Sequence, residues 1–171
     1  MDPIIWVTTL VKSHEDPEKV IHAIRNIFPE WDPESVPEGS SFPIKRGTVE
    51  ISGKSDSLDG MLSIVRENRI LDTALDVMSM GSDGRKAEFS ISRQSASIGK
   101  VSFVLNEEPL GGVIEVLLEG PEIGLWLEQQ TWHSGRDSIP RSIGDEISMS
   151  DEGEPAEWFD VKGRRTMGEA E

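Results

Sequence analysis

The residue types that most often carry chemistry are sparse in this chain, and their spacing is wrong for the common active sites. Gly47-Thr-Val-Glu-Ile-Ser-Gly53-Lys54-Ser55 looks at first like a phosphate-binding loop. That motif needs four residues between its glycines, so that backbone amides wrap the phosphates in one fixed nest. Here there are five, and the intervening Val-Glu-Ile-Ser is strand-like. The segment therefore predicts a strand followed by a turn. His14, His22 and His133 share no ligand spacing. His22 falls opposite the apolar stripe of the first expected helix and reads as solvated. His14 precedes a helix start and reads as a loop residue, with an anion contact at that helix N-terminus as the alternative. No G-x-S-x-G elbow is present. The run Asp151-Glu152-Gly153-Glu154 lacks the spaced oxygen ligands of a calcium loop and reads as solvated charge. There is no cysteine, which excludes disulfides, thiol catalysis and cysteine-held metals. No catalytic residue, metal or cofactor is implied.

Charge is the remaining lead. The 171 residues carry 32 acidic and 17 basic side chains, a net of −15. Such a balance repels phosphate backbones at long range and disfavours anionic membranes. A nucleic-acid binder of this composition needs a face where cations are concentrated. Arg66 and Arg69 sit three apart on an expected helix, near one face. Arg85 and Lys86 open an expected strand, and Arg93, Gln94 and Lys100 bracket the turn of an expected hairpin over Ala87–Leu105. These residues either track phosphates along one face or offset nearby carboxylates as ordinary surface charge. Composition alone favours the second reading. No strand is rich in aromatics of the kind that stack bases.

The elements that must position these side chains follow from periodicity. Ile4–Val11 is dense in β-branched residues and predicts a strand. Asp16 is a good N-cap, Pro17 suits the first helical position, and Val20, Ile21, Ile24, Ile27 and Phe28 form one stripe up to Pro29. Residues 29–45 are proline-rich and read as loop, with a short strand at Thr48–Ser52. Asp56 or Ser57 caps a second helix on Leu58, Leu62 and Val65. A third runs from Glu67 to Met80 on Ile70, Leu71, Ala74, Leu75 and Met78 after a bend near Arg66–Arg69, and Gly81 suits a left-handed stop. Strands are expected at Ala87–Ser92, Lys100–Leu105 and Gly112–Glu119. Ile24 and Leu71 are expected core residues. From Ser134 on there are ten acidic and five basic residues and no sustained period. Residues 1–133 therefore read as one α+β domain and 134–171 as an acidic, disordered tail. Within that tail, Trp158-Phe159 reads as an aromatic pair that folds back on the body or lies idle, with a short docking motif as the alternative. No apolar run approaches the ~18 residues of a membrane span, and the N-terminus lacks a signal-peptide pattern, so a cytoplasmic protein without a membrane partner is expected.

Several segments together resemble one family. They are Glu15-Asp-Pro-Glu-Lys-Val-Ile-His-Ala-Ile-Arg-Asn-Ile-Phe28, Arg66-Glu-Asn-Arg-Ile-Leu-Asp-Thr-Ala74, Ser92-Arg-Gln-Ser-Ala96, Gly99-Lys-Val-Ser-Phe103 and Pro109-Leu-Gly-Gly-Val-Ile-Glu-Val116. In order and spacing, over about residues 4–132, they are similar to archaeal uncharacterised protein family 0201, which is labelled RNA-binding. The resemblance implies a fold like that of the large-subunit ribosomal protein that binds 5S rRNA: a mainly antiparallel sheet with two to three helices packed on one face. It also implies a homodimer and a non-enzymatic role with structured RNA, ribosomal or other. On that reading Arg66, Arg69, Arg93, Gln94 and Lys100 are the RNA-binding candidates. Arg93 stands where the family usually has lysine. Leu75 stands where it usually has arginine, and Ser13-His14 precede the first helix in place of a Pro-Thr-like start. The alternative is a dimeric protein–protein adaptor whose acidic tail docks a partner.

Overall fold

The computed structural model describes residues 2–37 and 47–138. The expected tail beyond 138, with Trp158-Phe159, lies outside the described residues. The first strand, β1 (Ile4–Val11), and the first helix, α1 (Pro17–Ile27), fall where periodicity predicts, and the Asp16 side chain accepts from the Glu18 amide as N-cap. A two-residue strand, β2 (Asp32–Pro33), follows, then β3 (Val49–Ser55), α2 (Asp59–Glu67) and α3 (Leu71–Met80). The remaining elements are β4 (Lys86–Ser92), α4 (Arg93–Ser97), β5 (Phe103–Val104), β6 (Val113–Glu119), α5 (Ile123–Gln130) and a 3-10 turn at Ser134–Asp137.

The strands form one antiparallel sheet in the order β2-β3-β1-β6-β4-β5. Its register sets the core in rows. Ser55, Ile5, Leu118 and Ala87 lie side by side, as do Gly53, Val7, Val116 and Phe89, then Ile51, Thr9, Ile114, Ile91 and Phe103. These rows share one face, because strand side chains alternate. The helices cover that face, and Ile24 (0% exposed) and Leu71 (5%) are core residues as expected. Among the described residues the other face is left open. The class is thus α+β, with five helices among the described residues where two to three are expected. Among the described residues no helix is long and apolar enough to cross a membrane.

Several expectations change in detail, each for a physical reason. The phosphate-loop-like segment is strand β3, as read, and it continues through Gly53 to Ser55. A Cβ at Gly53 would stand 2.1 Å from the Asp32 carbonyl oxygen, so this glycine admits the crossing strand β2. The expected 87–105 hairpin is interrupted by α4, whose N-cap Ser92 accepts from the Ser95 amide. Of the second arm, Phe103 and Val104 then pair with β4, and the Ser92 amide donates to the Ser102 carbonyl at 2.8 Å. The N-cap of α2 is Leu58 rather than Asp56 or Ser57. Gly81 has φ −96°, an ordinary right-handed value. The left-handed residue is instead Arg69, φ 58°, in the bend between α2 and α3. Trp31, in the proline-rich loop, is buried, and its indole N–H donates to the Val7 carbonyl at 3.1 Å. The packed body also continues past the expected boundary at 133. Arg136 in the 3-10 turn is buried and donates to Asp72 Oδ1 at 2.7 Å, Glu128 O at 3.1 Å and Thr131 Oγ1 at 3.2 Å.

Candidate nucleic-acid interface

The two sides of the sheet hold their cations differently. The open face carries the row Ser52, Thr8, Glu115, Ser90 and Val104, and beside it Lys54, Trp6, Leu117 and Glu88. Its lysines are engaged. Lys54 Nζ lies 4.9 Å from the centre of the Trp6 ring, a cation–π contact, and Lys86 pairs with Glu119 at 2.8 Å. That pairing holds the Lys86 ammonium above its ordinary pKa. Glu50, Glu88 and Glu115 line a concavity of about 760 Å³ on this face. A polyanion approaching here meets carboxylates, which oppose it.

On the helical side the exposed cations stand otherwise. Lys19 and Arg25 project from α1, Arg66 and Arg69 from the end of α2, and Lys100 from the segment after α4. None of these five forms an ion pair with a described residue. α2 packs on α1 and α3, whereas α4 packs on α1, β4 and β6. Arg66 and Arg69 thus belong to one neighbour of α1, and Gln94 and Lys100 to the other. Gln94 is exposed. Lys19 and Arg25 are absent from the sequence-based candidates, although both lie off the apolar stripe of α1. Helical periodicity alone was sufficient to find them. Arg85 stands apart, exposed in the turn before β4.

The end of α2 is built around Arg69. The Ile70 amide donates to Val65 O and the Arg69 amide to Arg66 O, both at 3.1 Å. This six-to-one and five-to-two pair is the Schellman stop, with its left-handed residue at Arg69, where glycine is usual. The tight reversal projects Arg69 into solvent one helical turn from Arg66.

Arg93 is in a different position from the other candidates. It is 4% exposed, and its guanidinium is committed inside. Nη1 donates to Thr9 Oγ1 and to the Leu10 carbonyl, both at 2.8 Å, and Nη2 pairs with the Glu15 carboxylate. Thr9 Oγ1 in turn donates to Val113 O at 2.8 Å. Burial opposes the charge on Glu15. The Lys12 amide, the Arg93 guanidinium and His14 outweigh that and hold its carboxyl below the ordinary value. Gly112, φ 80°, closes over the arginine, and a Cβ there would lie 2.8 Å from Nη2. Asn26 Nδ2 donates to Ala96 O at 3.1 Å and Ser97 O at 3.3 Å, satisfying the last carbonyls of α4. Three family-like segments, around Glu15, Ser92–Ala96 and Pro109–Val116, therefore converge on one buried knot. Arg93 is corrected from a phosphate contact to a structural residue, because donors spent inside are not available to a ligand. Among the described residues no three His, Asp or Glu side chains are placed to hold a metal.

A family model described as RNA binding matches residues 4–119. A UPF0201 protein of Sulfolobus acidocaldarius is 33% identical over 131 residues, covering 74% of this chain and 88% of that protein. A UPF0200/UPF0201 protein of Archaeoglobus fulgidus is 32% identical over 99 residues, and the match spans 58% of this chain but only 28% of that protein's length. Among solved structures, the crystal structure of a UPF0201 protein from Methanococcus jannaschii matches with a TM-score of 0.65 at 26% identity, over 75% of this chain and 99% of that one. A second, an uncharacterised UPF0201 protein, gives 0.59 at 29% identity, over 73% and 90%.

Proposed function

Because this chain belongs to the archaeal UPF0201 family, whose matching model is described as RNA binding, we propose that it binds structured RNA, without catalysis, through the helical side of its sheet. Arg66, Arg69 and Lys100 are the phosphate contacts, with Lys19 and Arg25 on α1 between them and Gln94 donating its amide. The observation that carries this reading is how the cations are held: Lys19, Arg25, Arg66, Arg69 and Lys100 on the helical side form no ion pair with a described residue, although Glu18, Asp59 and Glu67 are exposed on the same helices, while the lysines of the open face are engaged and that face is lined by carboxylates. Specificity then comes from the shape of the RNA, because the net charge of −15 opposes indiscriminate attraction. Ribosomal RNA is the first ligand to test, given the resemblance to the 5S-rRNA-binding ribosomal protein, and such a role would lie in the cytoplasm. A homodimer, which the resemblance also implies, would present two such faces to one RNA.

The test is RNA affinity against salt for the wild type, for Arg66→Ala with Arg69→Ala, and for Lys54→Ala on the open face. Each lost phosphate contact on a duplex region reduces the slope of log K against log salt by about 0.9. The double variant should lose close to two units across RNA sequences, and Lys54→Ala should lose none. An unchanged slope in the double variant removes these arginines from the interface. No binding at low salt removes the RNA reading altogether.

A further inference from the structure

Among the described residues nothing packs on the open face of the sheet, yet it has the makings of a binding surface. Trp6, Leu117 and Val104 form an apolar floor in the concavity, and Met80, 57% exposed, extends it around the edge of β4. Glu50, Glu88 and Glu115 surround that floor. A ligand for this surface must be apolar at one end and cationic at the other. It must also be short, because the concavity is about 760 Å³. Exposed apolar patches rimmed by charge are typical of sites that another segment covers.

The chain itself contains such a segment. Glu157-Trp158-Phe159-Asp160-Val161-Lys162-Gly163-Arg164-Arg165 places two adjacent aromatics three to seven residues before three cations. These cations are three of the five basic residues that follow residue 133. The described body ends at Ser138, leaving twenty residues to reach Trp158. At ~3.3 Å per residue these span up to ~66 Å, against a body diameter of roughly 36 Å. Any point on the open face is within reach.

We propose that Glu157–Arg165 docks in cis on the open sheet face. Trp158 and Phe159 pack on Trp6, Leu117 and Val104, and Lys162, Arg164 and Arg165 face Glu50, Glu88 and Glu115. A tether of this length supplies an effective concentration of about 1 mM, so an intrinsic Kd of about 0.1 mM leaves the segment docked roughly ten-elevenths of the time. The docked segment leaves the helical side of the sheet uncovered.

The test is limited trypsin digestion of the full-length chain, with cleavage after Lys162, Arg164 and Arg165 followed by mass spectrometry and cleavage after Arg141 as the internal control. Two variants are compared with the wild type. Glu88→Lys with Glu115→Lys alters the surface, and Trp158→Ala with Phe159→Ala alters the segment without touching the described body. In each variant, cleavage at the three sites should speed up about tenfold while Arg141 is unchanged. Protection in the wild type should not depend on protein concentration. Equal rates in the wild type and in the Trp158→Ala/Phe159→Ala variant overturn the proposal. Protection that rises with protein concentration overturns it in favour of a second copy as the occupant.

Discussion

Arg93, at the start of α4, and Arg136, in the last turn of the described body, hold the same kinds of partner in two regions of the molecule. Each guanidinium meets one carboxylate, one threonine hydroxyl and one main-chain carbonyl. Their surroundings differ. The Glu15 side chain is 16% exposed, and Gly112 closes over the Arg93 guanidinium that it pairs with. The Asp72 side chain is 37% exposed and is shared with His133 at 3.0 Å. Arg136 also keeps its Nε buried with no partner among the described residues. An unmade bond on a buried donor costs free energy, and a half-exposed carboxylate gains less from its ion pair. The central knot is therefore the more strongly coupled of the two, although the chemistry is alike.

The largest effect is expected where that coupling is broken. Arg93→Ala removes the guanidinium that Glu15 pairs with and the donor that the Leu10 carbonyl accepts from, in a site with little water access. Removing one partner of a buried pair costs about 3–5 kcal/mol, a large part of the ~5–15 kcal/mol that holds a domain folded. Urea unfolding of the variant measures it. A loss below about 1 kcal/mol would show that the knot is wet and that Arg93 is available at the surface after all. Arg136→Ala should cost less, about 1–3 kcal/mol, since Asp72 can turn to water and His133. If both variants lose the same amount, the C-terminal turn is as integral to the fold as the centre.

Acid sharpens the same comparison. Burial opposes the charge on Asp72, but Arg136 and His133 outweigh it and hold the carboxyl below its ordinary value of 3.8. Glu15 is likewise held below 4.5. A carboxyl depressed in the folded state contributes stability that is complete above the unfolded value and is lost as pH falls through the folded one. Stability should therefore decline below about pH 4.5, as the unfolded chain takes up protons that the folded chain refuses. Glu15→Gln should flatten this acid limb, at the cost of about 1–3 kcal/mol at neutral pH from the weakened bond to Arg93. Unfolding free energies across the acid range test it. A Glu15→Gln limb as steep as the wild type's would assign the acid sensitivity to other carboxylates, Asp72 first.

What the sequence reveals and what it hides divide along the same line. β1 and α1 are legible because their signals are local: a β-branched run, an Asp-Pro start and a stripe at helical spacing. α5 is missed because its buried residues are only Ile123 and Leu127, while Leu125 between them points to solvent. Trp31 is missed because its neighbours are prolines and its partner Val7 belongs to β1. Arg93 and Arg136 are misread for a stronger version of this reason. Their carboxylates lie 78 and 64 residues away in the chain, so no window of sequence contains both halves of either pair. Arg66, Arg69, Gln94 and Lys100, read as surface residues, are exposed.

Arg69 offers the smallest effect and the cleanest separation of fold from function. It holds φ 58° at the left-handed position of the α2 stop. That conformation costs a side-chain-bearing residue about 1–2 kcal/mol, a cost that glycine escapes. Glycine gives back roughly 0.5–1 kcal/mol through the extra freedom of the unfolded chain. Arg69→Gly should therefore stabilise the protein by about 0.5–1 kcal/mol, seen as a higher urea midpoint with an unchanged slope. The same change removes one exposed cation, so the salt slope of RNA binding should fall by about 0.9. Stability and affinity then move in opposite directions from one substitution, which distinguishes a residue kept for its charge from one kept for the turn. Higher stability with an unchanged salt slope would take Arg69 out of the interface and leave Arg66 and Lys100 as its cations. Lower stability would show that the arginine side chain packs on the body and that the backbone conformation is not its main contribution.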